Sequence, residues 1–187
     1  MIEPPEASRP RRLLLDRIGS PVGEVLLLTD EDGTLRALDF HDYEPRLRRL
    51  ASRHYGALEI ASGPAPGSVR SAVQAYFAGQ LSALSAVTWR TNGTGFQRQV
   101  WAALTTIPAG EVWTYRDLAE AIGRPSAVRA VGLANGANPV ALVAPCHRVV
   151  GADGSLTGYG GGLHRKAWLL RHEGVDRAWT PQRKGRA

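Results

Sequence analysis

Cysteine is nearly absent: the 187-residue chain holds one, Cys146. A single thiol excludes an intramolecular disulfide and any zinc site built from several cysteines. The five histidines include no pair at a zinc-ligand spacing backed by carboxylates, so no metal is expected. No apolar run approaches the roughly 18 residues needed to span a bilayer. The first residues, with Pro4, Pro5 and Pro10, lack an apolar signal core. The reading is a soluble, cytoplasmic protein. What is present is an ordinary globular composition, 43% hydrophobic and 21% charged, with a net charge of +6. Excess positive charge attracts polyphosphate whatever its sequence, which means nucleic acid or an anionic membrane surface.

The chain divides into a tail over 1–12 expected to be disordered, an α/β scaffold domain over 13–85, a second domain over 93–175 and a basic tail over 176–187. In the first domain, Glu24-Val25-Leu26-Leu27-Leu28 and Thr34-Leu35-Arg36-Ala37-Leu38 read as two strands. Asp30-Glu31-Asp32-Gly33 supplies the turn of a hairpin. Leu47, Leu50, Ala51 and His54 fall on one helical face that Gly56 ends. Ser68 is read as the cap of a second helix carrying Val69, Ala72, Val73, Tyr76 and Phe77. This half shows no chemical motif.

The second domain opens on Thr94 with Gln97, a capping-box pattern, followed by Phe96, Val100 and Leu104. Thr114 with Asp117 starts a short helix through Leu118 and Ile122 that Gly123 closes. Ser126 is read as the cap of a further helix running to about Asn135. Short helix, brief turn and second helix make a helix-turn-helix. The second helix has unusually small side chains, Ala127, Ala130 and Gly132 among them, and Arg129 is its one charged residue. An interior glycine costs on the order of 1 kcal/mol against alanine. Close approach to a neighbouring helix would offset that cost, and so would entry into the narrow minor groove of DNA.

The cysteine lies between two apolar stretches in Val143-Ala144-Pro145-Cys146-His147-Arg148-Val149-Val150. Burial raises a thiol pKa, and a neighbouring His or Arg lowers it. The string Pro145-Cys146-His147-Arg148-Val149 resembles the signature of the O6-alkylguanine-DNA alkyltransferases, or methylated-DNA–protein-cysteine methyltransferases. Trp113-Thr114-Tyr115, Arg129-Ala130-Val131-Gly132, Asn138-Pro139, Gly158-Tyr159 with Gly161-Gly162-Leu163, and Lys166-Ala167-Trp168-Leu169-Leu170 with His172-Glu173-Gly174 follow that family's order and spacing. The likeness spans about residues 95–174 and is looser in the first half, resting there on Ser20-Pro21-Val22-Gly23.

The resemblance implies an N-terminal ribonuclease-H-like α/β domain with an antiparallel hairpin. After it would come a mostly helical, winged helix-turn-helix DNA-binding domain. It implies a cofactor-free suicide transferase. The protein would act as a monomer on duplex DNA carrying O6-alkylguanine, flip the lesion from the minor groove and take its alkyl group on Cys146. His147 would receive the thiol proton through a water, Glu173 would orient His147, and Tyr115 would donate to the base. Asn138 would hold the turn before the cysteine. Val149, Tyr159, Gly160, Gly161 and Lys166 would line the base pocket. Arg129 would fill the gap left by the flipped nucleotide, with Ala127, Ala130, Gly132, Thr114 and Arg148 on the DNA. Gly160 departs from many relatives, which carry Ser or Ala there, so a hydroxyl donor to O6 is missing. Three rival readings fit these residues less well. A lesion-binding alkyltransferase-like protein would lack the acceptor cysteine. A helix-turn-helix regulator would not need Tyr115, Glu173 or the glycine loop. A cysteine hydrolase draws its His from a distant segment.

Overall fold

The computed structural model describes residues 12–175. The two tails read from the sequence therefore lie outside the described residues, except Arg12, which opens a strand rather than ending a tail. Strand β1 (Arg12–Ile18) pairs antiparallel with β2 (Val25–Thr29), and β2 pairs antiparallel with β3 (Leu35–Phe40). The expected hairpin is thus present. The Asp30 carboxylate accepts the Thr34 N–H at 2.8 Å, and Gly33 takes φ +80°. Strand β4 (Glu59–Ser62) adds parallel to β1, so the sheet is mixed, in the order β3-β2-β1-β4. The hairpin reading missed β1 and β4. One begins inside the polar start of the chain, and the other is a four-residue edge strand with no fully buried residue.

Strand side chains alternate between faces, and here both faces are covered. Leu26 and Leu28 of β2 turn toward helix α1 (Glu44–Tyr55), where they pack with Leu47, Ala51 and Tyr55. Val25 and Leu27 turn the other way, into a core that includes Val69, Val73 and Tyr76 of helix α2 (Gly67–Phe77). In α1 the apolar position of the last turn is Tyr55 rather than His54, and Gly56 closes the helix at φ +79°. Ser68 does not cap α2. The Pro66 carbonyl already accepts from the Val69 and Arg70 N–H groups, so the helix starts earlier and Ser68 lies within it.

Both capping boxes form: Thr94 with Gln97 opens α3 (Gly95–Leu104), and Thr114 with Asp117 opens α4 (Tyr115–Ala121). Each satisfies two N–H groups that a helix start leaves unpaired. Ser126 does not cap the next helix. A 3-10 turn occupies Pro125–Ala127, and α5 (Val128–Gly136) follows it. Helices α4 and α5 form the helix-turn-helix. The Trp101 indole of α3 donates to the Ala134 carbonyl of α5 at 2.8 Å and ties α5 to α3. Two-residue strands β5 (Trp113–Thr114) and β6 (Val149–Val150) pair in parallel, and α6 (Leu163–His172) is the last helix among the described residues.

The largest core runs through both halves, from Val25, Leu38 and Phe40 to Val100, Trp101, Val131 and Cys146. Leu38 of β3 exchanges backbone bonds with Pro139 and Ala141, so the sheet edge abuts the segment leading to the cysteine. Among the described residues, no helix is long and apolar enough to cross a membrane.

Candidate active site

The pairing of β5 with β6 brings two distant segments together. Tyr115 follows β5 directly, and Val149, the first residue of β6, follows a 3-10 turn made of Cys146, His147 and Arg148. The cysteine therefore sits on a tight turn rather than on a strand. The path into it is also constrained. The Asn138 side chain donates to the Ala144 carbonyl at 2.7 Å and accepts from the Val140 N–H at 3.0 Å. Leu142, inside this loop and buried, takes φ +67°. A non-glycine residue in that region is strained by about 1–3 kcal/mol and persists only where its surroundings over-determine it. Asn138 is part of that constraint.

Four donors converge on one buried carboxylate. Glu173 follows α6 and is 4% exposed. Its Oε1 accepts from the Tyr76 hydroxyl at 2.7 Å, His147 Nε2 at 2.8 Å and Arg148 Nη2 at 2.9 Å. Its Oε2 accepts from Arg148 Nε at 2.8 Å. Burial alone would push this carboxyl up. The His147 and Arg148 bonds outweigh burial and hold it ionised, below the usual carboxylate range. Burial and the charge of Glu173 both push the Tyr76 phenol up, so it stays a donor.

His147 is completely buried. Burial draws its pKa below 6.5 even though Glu173 pulls the other way, so the ring rests neutral at pH 7. The bond from Nε2 to Glu173 fixes the tautomer. Nδ1 then carries the lone pair, and it has no hydrogen-bond partner among the described residues. Burial also pushes the Cys146 thiol up, against smaller opposing effects of Asn138, Arg46 and Lys166. The resting pair is a protonated thiol next in sequence to a neutral imidazole with an open basic nitrogen. That arrangement suits proton removal at the moment of attack.

Most of the surrounding walls come from the last third of the chain. Thr157 donates to the Tyr115 hydroxyl at 3.0 Å, leaving the phenol proton free to be donated. Burial pulls the Lys166 ammonium down to about 8, and it bonds the Val149 carbonyl at 2.5 Å and the Thr157 carbonyl at 3.0 Å. It ties β6 to the loop ahead of the glycines. The Tyr159 ring stands edge-on to His147 with centroids 6.4 Å apart. A side chain on Gly161 would meet the Phe40 ring at 2.6 Å, and Gly162 needs its φ of +90°.

On the outer side of α5, Arg129 and Ala130 are exposed and Gly132 is half-exposed, as is Ala127 in the 3-10 turn that precedes the helix. A Cβ on Gly132 would find its nearest neighbour, the Tyr115 ring, at 3.7 Å, an ordinary contact. Packing within the protein does not require a glycine there.

The sequence model of the 6-O-methylguanine DNA methyltransferase DNA-binding domain matches residues 95–175. That of its ribonuclease-like domain matches residues 16–88. A methylated-DNA–protein-cysteine methyltransferase of Shigella flexneri is 48% identical over 165 residues, covering 87% of this chain and 96% of the relative. The chain belongs to the 6-O-methylguanine DNA methyltransferase family. Within the family, the Mycobacterium bovis methylated-DNA–protein-cysteine methyltransferase is 55% identical over 128 residues, 67% of this chain and 77% of that one. The Mycobacterium tuberculosis OGT in complex with DNA superposes with a TM-score of 0.71 at 39% identity, covering 87% of this chain and 92% of its own. The expected fold, a ribonuclease-like domain followed by a helical DNA-binding domain, is that of this family.

One residue read as a DNA contact is not placed as one. Arg148 is 8% exposed, doubly bonded to Glu173, and donates to the Ile107 carbonyl at 2.5 Å. All three guanidinium nitrogens bond inside the protein, and the side chain is too buried to present its remaining N–H groups to a phosphate. Thr114 spends its hydroxyl on the α4 capping box. The half read as a scaffold contributes directly, through Tyr76 on Glu173 and through Arg46. Neither carries a local motif. Tyr76 reads as one more apolar position of α2, and only the packing of α2 against α6 gives its hydroxyl a partner.

Proposed function

We propose that this chain repairs DNA by direct reversal, moving an alkyl group from O6 of guanine in duplex DNA irreversibly onto Cys146. The observation that carries this reading is the relay from Glu173 to His147 Nε2, which leaves Nδ1 as an unpartnered base on the residue next in sequence to a buried, protonated thiol. Cys146 Sγ attacks the alkyl carbon. The S–C bond forms as the C–O6 bond breaks, and the thiol proton passes to His147 Nδ1 through one water. Glu173 stabilises the resulting imidazolium. Guanine leaves as an anion, with Tyr115 donating to the base and the backbone amides of Tyr159 and Gly160 donating to O6. The product thioether has no leaving group, so one molecule repairs one lesion.

A sulfur nucleophile cannot reach a stacked, paired O6 in line, so the nucleotide must leave the helix. The small, open face of α5 suits a minor groove about 6 Å wide, and Arg129 stands there to fill the vacated stack. Arg129→Ala should slow repair of duplex DNA far more than reaction with free O6-benzylguanine, measured as second-order rates. Equal slowing of both would remove the finger role. The decisive test is intact mass after incubation with a duplex carrying one O6-methylguanine, followed by peptide mapping. The expected result is a gain of about 14 Da on the Cys146 peptide, stoichiometric with lesion loss. Tight lesion binding without mass gain would overturn the transfer.

A further inference from the structure

Gly160 sits in the glycine loop, yet its backbone is not in the left-handed region that the neighbouring Gly162 occupies. Its lack of a side chain has another cause. A Cβ there would lie 2.6 Å from Cζ and from Nη2 of Arg46 and 2.9 Å from Nη1. The guanidinium lies flat against this glycine. Arg46 comes from α1 in the other half of the chain, and it is pinned where it lies. Nη1 bonds the Asp39 carboxylate at 2.5 Å, and Nη2 donates to the Gly136 and Asn138 carbonyls at 3.1 Å each. Asp39 is 1% exposed. Arg46 thus joins the end of α5, the Asn138 turn that leads to Cys146, and the loop that presents Tyr159 and Gly160. Its charge also acts on the Cys146 thiol, favouring the thiolate.

We propose that Arg46 is a positioning residue of the transfer site: its guanidinium occupies the space of the missing Gly160 side chain and fixes the glycine loop against the Asn138 turn beside Cys146. This rests on the transfer reading given above. A hydroxyl restored at position 160 would not simply add a donor to O6. The end of a free arginine would swing away at little cost, but this one would abandon Asp39, leaving a buried carboxylate without its partner.

The two residues are then one unit, and their substitutions are not additive. With free O6-benzylguanine as substrate, at a temperature where every variant is folded, Arg46→Ala and Gly160→Ser should each slow transfer about tenfold. The double variant should also be slowed about tenfold rather than a hundredfold, because serine fits once the arginine is gone. Melting temperatures should follow the same cycle, the double variant melting with Arg46→Ala. Arg46→Lys, which keeps a charge for Asp39 but not the flat stack, should recover the melting temperature more than the rate. A merely structural staple would move stability and rate together. Additive rate effects in folded variants, or full recovery of the rate by lysine, would overturn the proposal. A wild-type protein that takes no alkyl group would instead overturn the function, and the melting cycle would still decide the contact: a further drop in the double variant would sink it.

Discussion

Cys146→Ala should abolish the mass gain on incubation with alkylated duplex while leaving duplex affinity within about twofold, the spread expected of a buried change that leaves the binding face intact. The sulfur is the acceptor proposed above. Cys146 is the one cysteine of the chain, and its thiol sits within the Asn138, His147 and Lys166 surroundings described above. The expected binding face is separate. Arg129 and Ala130 are exposed on α5, which is held by Trp101 of α3 through the Ala134 carbonyl and not by the thiol. Alanine removes one buried atom, so the fold should persist. The check is intact mass together with a binding titration on the same duplex. Transfer that survives the substitution would place the acceptor elsewhere. Loss of transfer together with loss of binding and a broadened melt would mean that the cysteine serves the fold.

Glu173→Gln should be the most damaging change to stability, about 3–5 kcal/mol, the usual cost of breaking a buried charge pair from one side. Glutamine keeps the volume but not the charge. Arg148, 8% exposed, would keep its charge, lose its counter-charge and keep at most one of its two bonds to this side chain. One end of the glutamine amide is also a donor, and it would face the Arg148 or His147 N–H groups that now donate to Glu173. His147 would lose the negative charge that stabilises its protonated form, so transfer by the folded fraction should fall about 10²–10⁴-fold, the usual worth of a positioned base. The pH dependence carries a sign. The Glu173 pKa is held below its ordinary 4.5 in the folded protein. Its stabilisation is therefore complete above the unfolded value and is lost as pH falls through the lower folded one. Wild type should lose stability steeply below about pH 4.5, and Glu173→Gln should lack that part of the decline. Tyr76→Phe removes one neutral donor of the four bonds and should cost about 1 kcal/mol. Denaturant melts from pH 3 to 7 check all three. A Gln variant as stable as wild type would mean that Glu173 does not hold this node together.

Legibility followed sequence distance. Both capping boxes were readable because Thr94 with Gln97 and Thr114 with Asp117 each lie within one helical turn, so local chemistry decides them. The β2–β3 hairpin was readable for the same reason. Ser68 and Ser126 misled, because a serine near a helix start reads as a cap, while Pro66 and the Pro125–Ala127 turn set the actual starts. Arg148 misled in the opposite sense. In a chain of net charge +6, an arginine beside the key cysteine reads as a phosphate contact until Glu173, some 25 positions on, is seen to fill its fork.

By itself the sequence determined the reactive thiol, the adjacent histidine, the small-faced helix and the family pattern, since these are residue identities at short spacing. Only the tertiary structure decided what those groups experience. It buried Glu173 under Tyr76, His147 and Arg148 drawn from two other elements. It paired β5 with β6 so that Tyr115 adjoins the cysteine turn, and it laid Arg46 from the first half across Gly160. Hydrogen bonds and packing act over a few ångströms whatever the separation along the chain, and the Tyr76–Glu173 bond alone spans 97 residues.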